Sequence, residues 1–537
     1  LVDLGAVRLD PFYDAAVRSM SVSWHNFFFG AYEPGGSVSI DKPPVDLWLQ
    51  VASVKLLGWG STSLKLPEAL AGTASVPLLY AAVRRPFGTI AGLVAALALA
   101  VLPIEVVTAR SDTMDAVMMM LLVVALLLLV RACQSGRTVW LLAAAASLGL
   151  AFNVKLLESM VALPGLLALA WLGLPRSRAK DAPPDASERP KPAARGRRVW
   201  QLAAAAAVYV AVALSWLGAT LLYPAHERPW AIGSTNGSAW NAAFVFNGSE
   251  RLTGKTVEVG QPTSTTRRQV STGVKDRGAT EPITPPSPTR LLARQGQLPA
   301  RWLGWEALAA LLLGVAVVIS LARRHSDRLK RATAIGVFVW LLTGIALFSA
   351  MARLHPRYVE SFTPAVAAMY GIGVALVAGG GRRVRWLAVA LTALLAIPLV
   401  ASVETVKEET SDAGNVGALG GEEQHALSAY LLAHRAGERY EVAAGSATTV
   451  ASLIVRDQRP VLMLTSYNGR PLTGVAQLKA LAARGEVRFA FLDSQCGART
   501  PMTAAACAPA ARWVRAHGTD VSHQAGLRSK GILWRLP

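Results

Sequence analysis

Asp41 and Lys42 set a carboxylate beside an ammonium group within the run Ser39-Ile-Asp-Lys-Pro-Pro-Val-Asp-Leu-Trp48. A carboxylate can take the proton from an attacking hydroxyl, and a lysine can neutralise a departing anion. Pro43 and Pro44 have a fixed φ and no N–H, so they suit the first turn of a helix and force an extended residue ahead of it. Leu47, Trp48, Leu49, Val51 and Leu56, interrupted by Asp46, Gln50 and Lys55, then read as an amphipathic helix lying at a membrane surface. A solvated turn before a helix is the plainer alternative for this stretch taken alone.

Other groups repeat this mixture of acids, cations and aromatics. Asp10-Pro-Phe-Tyr13-Asp14 precedes an amphipathic segment, where Asp10 also suits an N-cap with Pro11 behind it. Arg110-Ser-Asp112-Thr-Met-Asp115 places Asp115 at the mouth of an apolar helix, where an unpaired carboxylate is expensive; Asp112 suits a cap there. In Asn153-Val-Lys155-Leu-Leu-Glu158 the lysine and the glutamate stand three apart and can pair with each other. His355-Pro-Arg357-Tyr358 brings an arginine to another helix mouth, suited to bidentate phosphate binding or to snorkelling to the interface.

The elements that must position these groups are membrane helices. The 537 residues are 53% hydrophobic and only 16% charged, well below the quarter usual in soluble domains. The net charge of +20 does not point to nucleic acid, because the basic residues cluster in short loops between apolar runs. Runs long enough for a core of ~30 Å at ~1.5 Å per residue fall near 65–83, 87–108, 114–131, 138–153, 157–174, 199–222, 303–322, 333–351, 358–379 and 386–403. The expected fold is a polytopic α-helical membrane protein of about ten membrane helices. Ala-, Leu-, Arg- and Gly-rich usage suggests a bacterial source, hence a plasma-membrane location.

Arg84-Arg85, Arg131 with Arg137, the block 176–198, the block 323–331 and Arg382-Arg383-Val-Arg385 occupy alternate connections, which places them in the cytoplasm. The Pro-, Ala- and charge-rich stretch 179–198 reads as a cytoplasmic linker. The opposite side then collects the 1–64 segment with its juxtamembrane helices, the 110–115, 153–158 and 354–358 turns, the long 223–301 loop and the tail from 404. Only lysines and arginines of the basic loops enter this placement, yet the acid-containing turns at 110–115 and 153–158 and the acids of the 1–64 segment fall together on the extracytoplasmic face. Residues 1–403 thus form the membrane domain, and 404–537 a small extracytoplasmic α/β domain. Its expected strands are 440–444, 461–465, 487–493 and 531–536, and its expected helices 422–435, 449–456 and 474–483. Cys496 and Cys507 have a spacing compatible with a disulfide, and Cys133 should stay reduced.

No Walker loop, dinucleotide fingerprint or metal-ligand cluster is visible. Carboxylates, cations and aromatics on one outer membrane surface fit sugar transfer from a lipid-held phosphate donor, since nucleotide sugars are not supplied there.

The order of these blocks, with Leu66–Gly72, Tyr80–Gly88, Asp112–Ala116 and His355–Ala365, resembles the GT-C membrane glycosyltransferases. More narrowly it resembles the aminoarabinose-transferase and protein O-mannosyltransferase-like families, and within them a bacterial mannosyltransferase branch with an extracytoplasmic C-terminal domain. Arg228-Pro-Trp-Ala-Ile-Gly-Ser-Thr235, Phe246–Gly254, Ser466–Gly469 and Gln477–Leu481 look like that branch's signatures. The resemblance implies an inverting transferase that uses a polyprenyl-phosphate sugar, and a membrane helix ahead of the Asp10 loop; the chain opens at Leu1 without a methionine. It makes Asp10 the candidate base, with Asp41 and Lys42 in the acid-Lys-Pro motif, Asp115 as the second-loop acid, and His355 and Arg357 as the late polar pair. Pro11 stands where many relatives have an acid, which leaves Asp10 and Asp14 both open as the base.

The expectation is transfer of a hexose, mannose being one choice, to an extracytoplasmic protein, glycan or lipid, without nucleic acid. Asp10, Asp41 and Asp115 are the candidate catalytic acids, Asp115 positioning the acceptor or a metal. Lys42, Arg110 and Arg357 are the phosphate contacts, and Tyr13, Asp14, Asp112, Lys155, Arg228 and His355 complete the substrate-binding set. Such enzymes differ in whether they use a divalent cation (Mg or Mn), and the sequence does not decide it. A transporter would show internal repeats and interrupted helices with mid-bilayer polar groups, which are not seen; a non-catalytic cell-envelope scaffold is the other rival.

Overall fold

The computed structural model describes residues 3–175, 192–253, 286–292, 303–323, 327–352, 354–414, 421–466, 471–492 and 509–537. The Cys496–Cys507 pairing and most of the 179–198 linker lie outside the described residues. Contacts divide the chain into two units. One comprises Leu1–Arg8, Lys65–Trp216 and Glu281–Asp412; the other comprises Leu9–Leu64, Leu217–Thr280 and Ala413–Pro537.

Among the described residues, seven helices are long and apolar enough to cross a membrane, and Thr89–Val101 is a shorter apolar helix. The expected count of ten is not reproduced by that measure. The span expected at 87–108 breaks at Pro103, which opens a new helix at its first position. The expected spans at 138–153 and 157–174 join through a 3₁₀ turn at Leu156–Ala162 into one 36-residue run. In chain order the first unit takes up most of α4 (Ser61–Phe87), then α5 (Thr89–Val101), α6 (Pro103–Thr108), α7 (Asp115–Ser135), α8 (Thr138–Lys155), α9 (Leu163–Gly173) and α10 (Pro192–Ala213). The helices Gly304–Arg323, Arg328–Ala350, Thr363–Ala378, Arg382–Ala393 and Ala396–Lys407 follow.

Hydrophobic burial cannot sort helices whose other neighbour is lipid, so close approach at small residues does. The helix α9 crosses Arg328–Ala350 at Gly165 and Gly336. A Cβ on Gly165 would stand 2.4 Å from the Gly336 carbonyl oxygen and 2.6 Å from the Trp340 Cβ. Gly371 meets the Ala91 carbonyl of α5 in the same way, at 2.4 Å.

The second unit begins with α1 (Pro11–Met20), α2 (Trp24–Phe29) and α3 (Val45–Leu57). The amphipathic segment after Asp10 forms two helices because Ser23 caps a new one, accepting from Asn26 N at 3.1 Å. Gly30 ends α2 at φ 66°, and a side chain there would press on Ile40 and Pro44 at 3.1 Å. A lone glycine thus lets α2 lie against the Asp41–Pro44 turn. Pro44 is the N-cap of α3 rather than part of its first turn. That helix buries Asp46 and Gln50 and exposes Leu49, Leu56 and Leu57, the last pair at 83% and 63%, which is the pattern of an element facing lipid with its apolar side. The strand β1 (Val38–Ser39) pairs in parallel with β2 (Trp230–Ala231).

The tail forms a five-stranded sheet of order β4-β3-β5-β7-β6. Its strands are β3 (Ala443–Ser446), β4 (Leu462–Thr465), β5 (Phe489–Phe491), β6 (Thr519–Asp520) and β7 (Leu533–Arg535). Strands β3, β4 and β5 are parallel and joined through the helices Ala451–Asp457 and Val475–Ala483; β7 and β6 are antiparallel. Leu464, Leu478, Ala490, Leu492 and Val514 are at its core. Beyond the expected elements it adds β6 and the helix Pro509–His517.

Gly165→Val should destabilise the protein by about 1–3 kcal/mol through overpacking, read as a lowered melting temperature in detergent. In the α/β domain, burial and the neighbouring Asp457 push the Glu441 carboxyl up to about 9. The folded domain therefore holds that proton more tightly than the unfolded chain. Its contribution is complete below pH 4.5, the ordinary value for glutamate, and is lost as pH rises to about 9. The protection factors of β3, which discount the base-catalysed rise of exchange with pH, should thus fall between pH 6 and 8.5, and Glu441→Gln should flatten that fall.

Candidate functional site

In the membrane unit, three separate turns and a chain segment converge on one buried carboxylate. Asp115 opens α7 and is wholly buried. Lys155, the last residue of α8, donates to Asp115 Oδ1 and lies 3.0 Å from Glu158 Oε2. Its ammonium also stands 5.1 Å from the centre of the Tyr358 ring, a cation–π distance. Arg357 Nε lies 4.0 Å from Asp115 Oδ2, and Arg357 Nη1 donates to the Asp412 carbonyl at 3.1 Å. Asp412 accepts from the Ser111 and Thr113 hydroxyls, which fixes the turn ahead of α7. Met114 and Leu156, at φ 47° and 41°, are both left-handed without being glycine. Each adjoins a member of the pair, Asp115 or Lys155, so backbone strain is stored on both sides of it. Glu105 and Glu360 are buried carboxyls of the same unit; Glu360 lies on the 3₁₀ turn that carries Arg357.

In the second unit, Lys42 Nζ lies 3.2 Å from Asp41 Oδ1 and donates to the Tyr13 hydroxyl at 3.1 Å. Asn247 donates to the Asp41 carbonyl at 2.8 Å and to Asp41 Oδ2 at 3.1 Å, while Arg251 Nε donates to Asn247 Oδ1 at 3.2 Å. Burial pushes the Asp41 carboxyl up, but Lys42, Arg251 and the Asn247 hydrogen bond outweigh it and hold it below the usual carboxylate range. Asn247 belongs to the π-helical stretch Ala242–Ser249, the kind of irregular turn that re-aims a side chain. Asp10 is the N-cap foreseen: Oδ1 accepts from Phe12 N at 3.0 Å, and Oδ2 accepts from Gly414 N at 2.9 Å. Asp14, on the first turn of α1, is buried as well.

The sequence therefore brings Asp115, Lys155 and Arg357 into one group, and Asp41, Lys42 and Tyr13 into another. Other candidates make bonds and contacts of their own. Arg110 donates to the Asp3 carbonyl at 3.4 Å, Arg228 donates to the Tyr223 and Leu221 carbonyls, and His355 is exposed against the Tyr358 ring. Asp112 is wholly buried in the turn held by Asp412. Asn247, Arg251 and Asp412 were not foreseen individually. The first two lie in the Phe246–Gly254 stretch marked by the resemblance; Asp412 carries no motif. Asp115 already has two cations beside it, so its donor set does not fit a further divalent cation. Among the described residues, no group of three or more His, Cys, Asp or Glu gathers in a metal-holding arrangement.

Residues 41–183 match the family model "Dolichyl-phosphate-mannose-protein mannosyltransferase", and residues 427–517 match "Putative mannosyltransferase YkcB-like, C-terminal". "Putative mannosyltransferase YycA" of Bacillus subtilis is 35% identical over 247 residues, covering 46% of this chain and 34% of its own. YkcB of the same organism, similarly described, is 35% identical over 253 residues, covering 47% of this chain and 33% of its own. The chain thus spans about a third of the length of the curated relatives it matches. Among solved structures, ArnT from Cupriavidus metallidurans in the apo state superposes with a TM-score of 0.54 at 17% identity, over 91% of this chain and 89% of that one. ArnT bound to undecaprenyl phosphate gives 0.51 at 16% identity, over 90% and 85%. The Archaeoglobus fulgidus oligosaccharyltransferase gives 0.54 at 13% identity, over 96% and 69%. The chain has the fold of these membrane proteins, and the matches bear out the resemblance to the mannosyltransferase-like GT-C group.

Lys155→Met should leave Asp115 with the more distant Arg357 and cost about 3–5 kcal/mol of stability. Adding Asp115→Asn to it should restore part of the lost melting temperature in detergent, because the stranded charge is removed with its partner.

Proposed function

We propose that this polytopic membrane protein of the GT-C fold is an inverting glycosyltransferase that moves a hexose, mannose first, from a polyprenyl phosphate to an extracytoplasmic hydroxyl. The observation that carries this reading is the Lys42 ammonium held between Asp41 and Tyr13, with Arg251 tied to the same carboxylate through Asn247. These are cations in a low-dielectric setting, fixed before any substrate arrives, as stabilisation of a leaving phosphate requires. The undecaprenyl phosphate in one ArnT structure supports a donor of this kind.

In the proposed step, Asp10 takes the proton of the acceptor hydroxyl while its oxygen attacks the anomeric carbon from the face opposite the phosphate. The bond from that carbon to the phosphate oxygen breaks, and the bonding pair leaves with the polyprenyl phosphate, whose charge Lys42 and Arg251 neutralise. The two N–H groups donating to Asp10 fix its carboxylate in orientation. Within the membrane unit, Asp115 and Asp412 brace Arg357, and Asp115 keeps Lys155 and Arg357 in place rather than holding a metal. The alternate basic loops support a cytoplasmic side opposite to the acid-bearing turns, and hence an outward-facing site in a bacterial plasma membrane. The acceptor is a protein, glycan or lipid bearing a hydroxyl. Transport and scaffolding are less favoured, since neither needs cations and carboxylates preset in this way.

Purified protein should release label from mannosyl polyprenyl phosphate in the presence of membrane and wall fractions. Asp10→Asn should lower turnover by about 10²–10⁴-fold, the usual worth of a general base, and Arg251→Ala should raise the donor KM. Normal turnover in Asp10→Asn together with loss in Asp14→Asn would move the base to Asp14. Failure to use any of several sugar donors would refute the transferase reading.

A further inference from the structure

Glu33 is a buried acid that the proposed reaction does not use. It has no exposed surface. Its carboxylate accepts from Gly35 N at 2.6 Å, Ser37 N at 2.5 Å and Val461 N at 3.2 Å. The first two belong to the loop that runs into β1 and on to Asp41 and Lys42; the third directly precedes β4 of the C-terminal sheet. One carboxylate thus bonds two segments more than 400 residues apart in sequence. The N–H groups it satisfies would be costly to bury unpaired.

Other contacts run parallel to this one. Gly35 lies against Pro460, where an added Cβ would stand 3.3 Å away. The helix Ala451–Asp457 packs along α1, and Gln458 donates to the Arg18 carbonyl at 3.3 Å. Gly414, in the segment leading into the C-terminal domain, donates to Asp10 Oδ2. The α/β sheet therefore grips both α1, which Asp10 caps, and the loop that carries Lys42.

We propose that Glu33 is a positioning residue that docks the C-terminal α/β domain on the first outer loop, so that the domain braces Asp10 and Lys42. This rests on the reading of those residues as the working groups. A carboxylate with two oxygens can serve three N–H donors, whereas a glutamine offers one oxygen and turns an N–H₂ toward the others. The domain is then part of the transferase site's scaffold, in addition to any acceptor it binds.

The test is hydrogen exchange by mass spectrometry on the full-length protein in detergent, together with donor turnover. In Glu33→Ala the amides of residues 35–42 and of Val461 should exchange at least ten-fold faster, while β3 and β5 keep their protection. The kcat should fall about ten-fold or more, because fewer molecules hold the base and Lys42 in place at any instant. Glu33→Gln should fall between Glu33→Ala and wild type in both readouts, and it serves as the test variant should Glu33→Ala not fold. Unchanged exchange at residues 35–42 would overturn the proposal, as would faster exchange with wild-type kcat. An inactive wild type would refute the transferase reading alone, and the exchange data would still decide whether Glu33 docks the domain.

Discussion

A charge taken out of water must find an opposite charge or a set of hydrogen bonds, and this protein's described architecture depends on how that demand is met. At Asp115 it is met by side chains from other turns, Lys155 and Arg357, with Asp412 holding the far side of the arginine. Removing one partner leaves the others buried and uncompensated, so the turns at 110–115, 153–158 and 354–358 hold one another in place. The left-handed backbone at Met114 and Leu156 persists because those ion pairs over-determine it.

The second unit answers the same demand differently. Asp10 and Glu33 each accept from backbone N–H groups. Such bonds fix the orientation of a carboxylate. Asp41 is instead bound into a network with Lys42, Asn247 and Arg251 and stays ionised despite its burial. In the proposed chemistry Asp10 is the base and Asp41 an anchor for cations.

Helix packing inside the membrane unit obeys a separate rule. Lipid offers no gain for hiding leucine, so the approach of α9 to Arg328–Ala350 is decided by Gly165 and Gly336, where backbone meets backbone. Hydropathy locates such helices yet does not say which neighbour each will choose. It also does not see that Pro103 divides one apolar run, or that a 3₁₀ turn joins two others.

The sequence by itself determined that this is a polytopic membrane protein with a C-terminal α/β domain, because apolar length and alternation are local properties written in consecutive residues. It also marked the Asp10, Asp41–Lys42, Asp115, Lys155 and Arg357 turns as the charged ones, since a charge beside an apolar run is conspicuous. Only the tertiary structure decided which charges pair. It joined Asp115 to Lys155 across 40 residues, Asp41 to Asn247 across 206 and Ser111 to Asp412 across 301. Asn247, Arg251, Asp412 and Glu33 gain their significance only through such contacts. Electrostatic compensation acts through space, and sequence spacing does not record it.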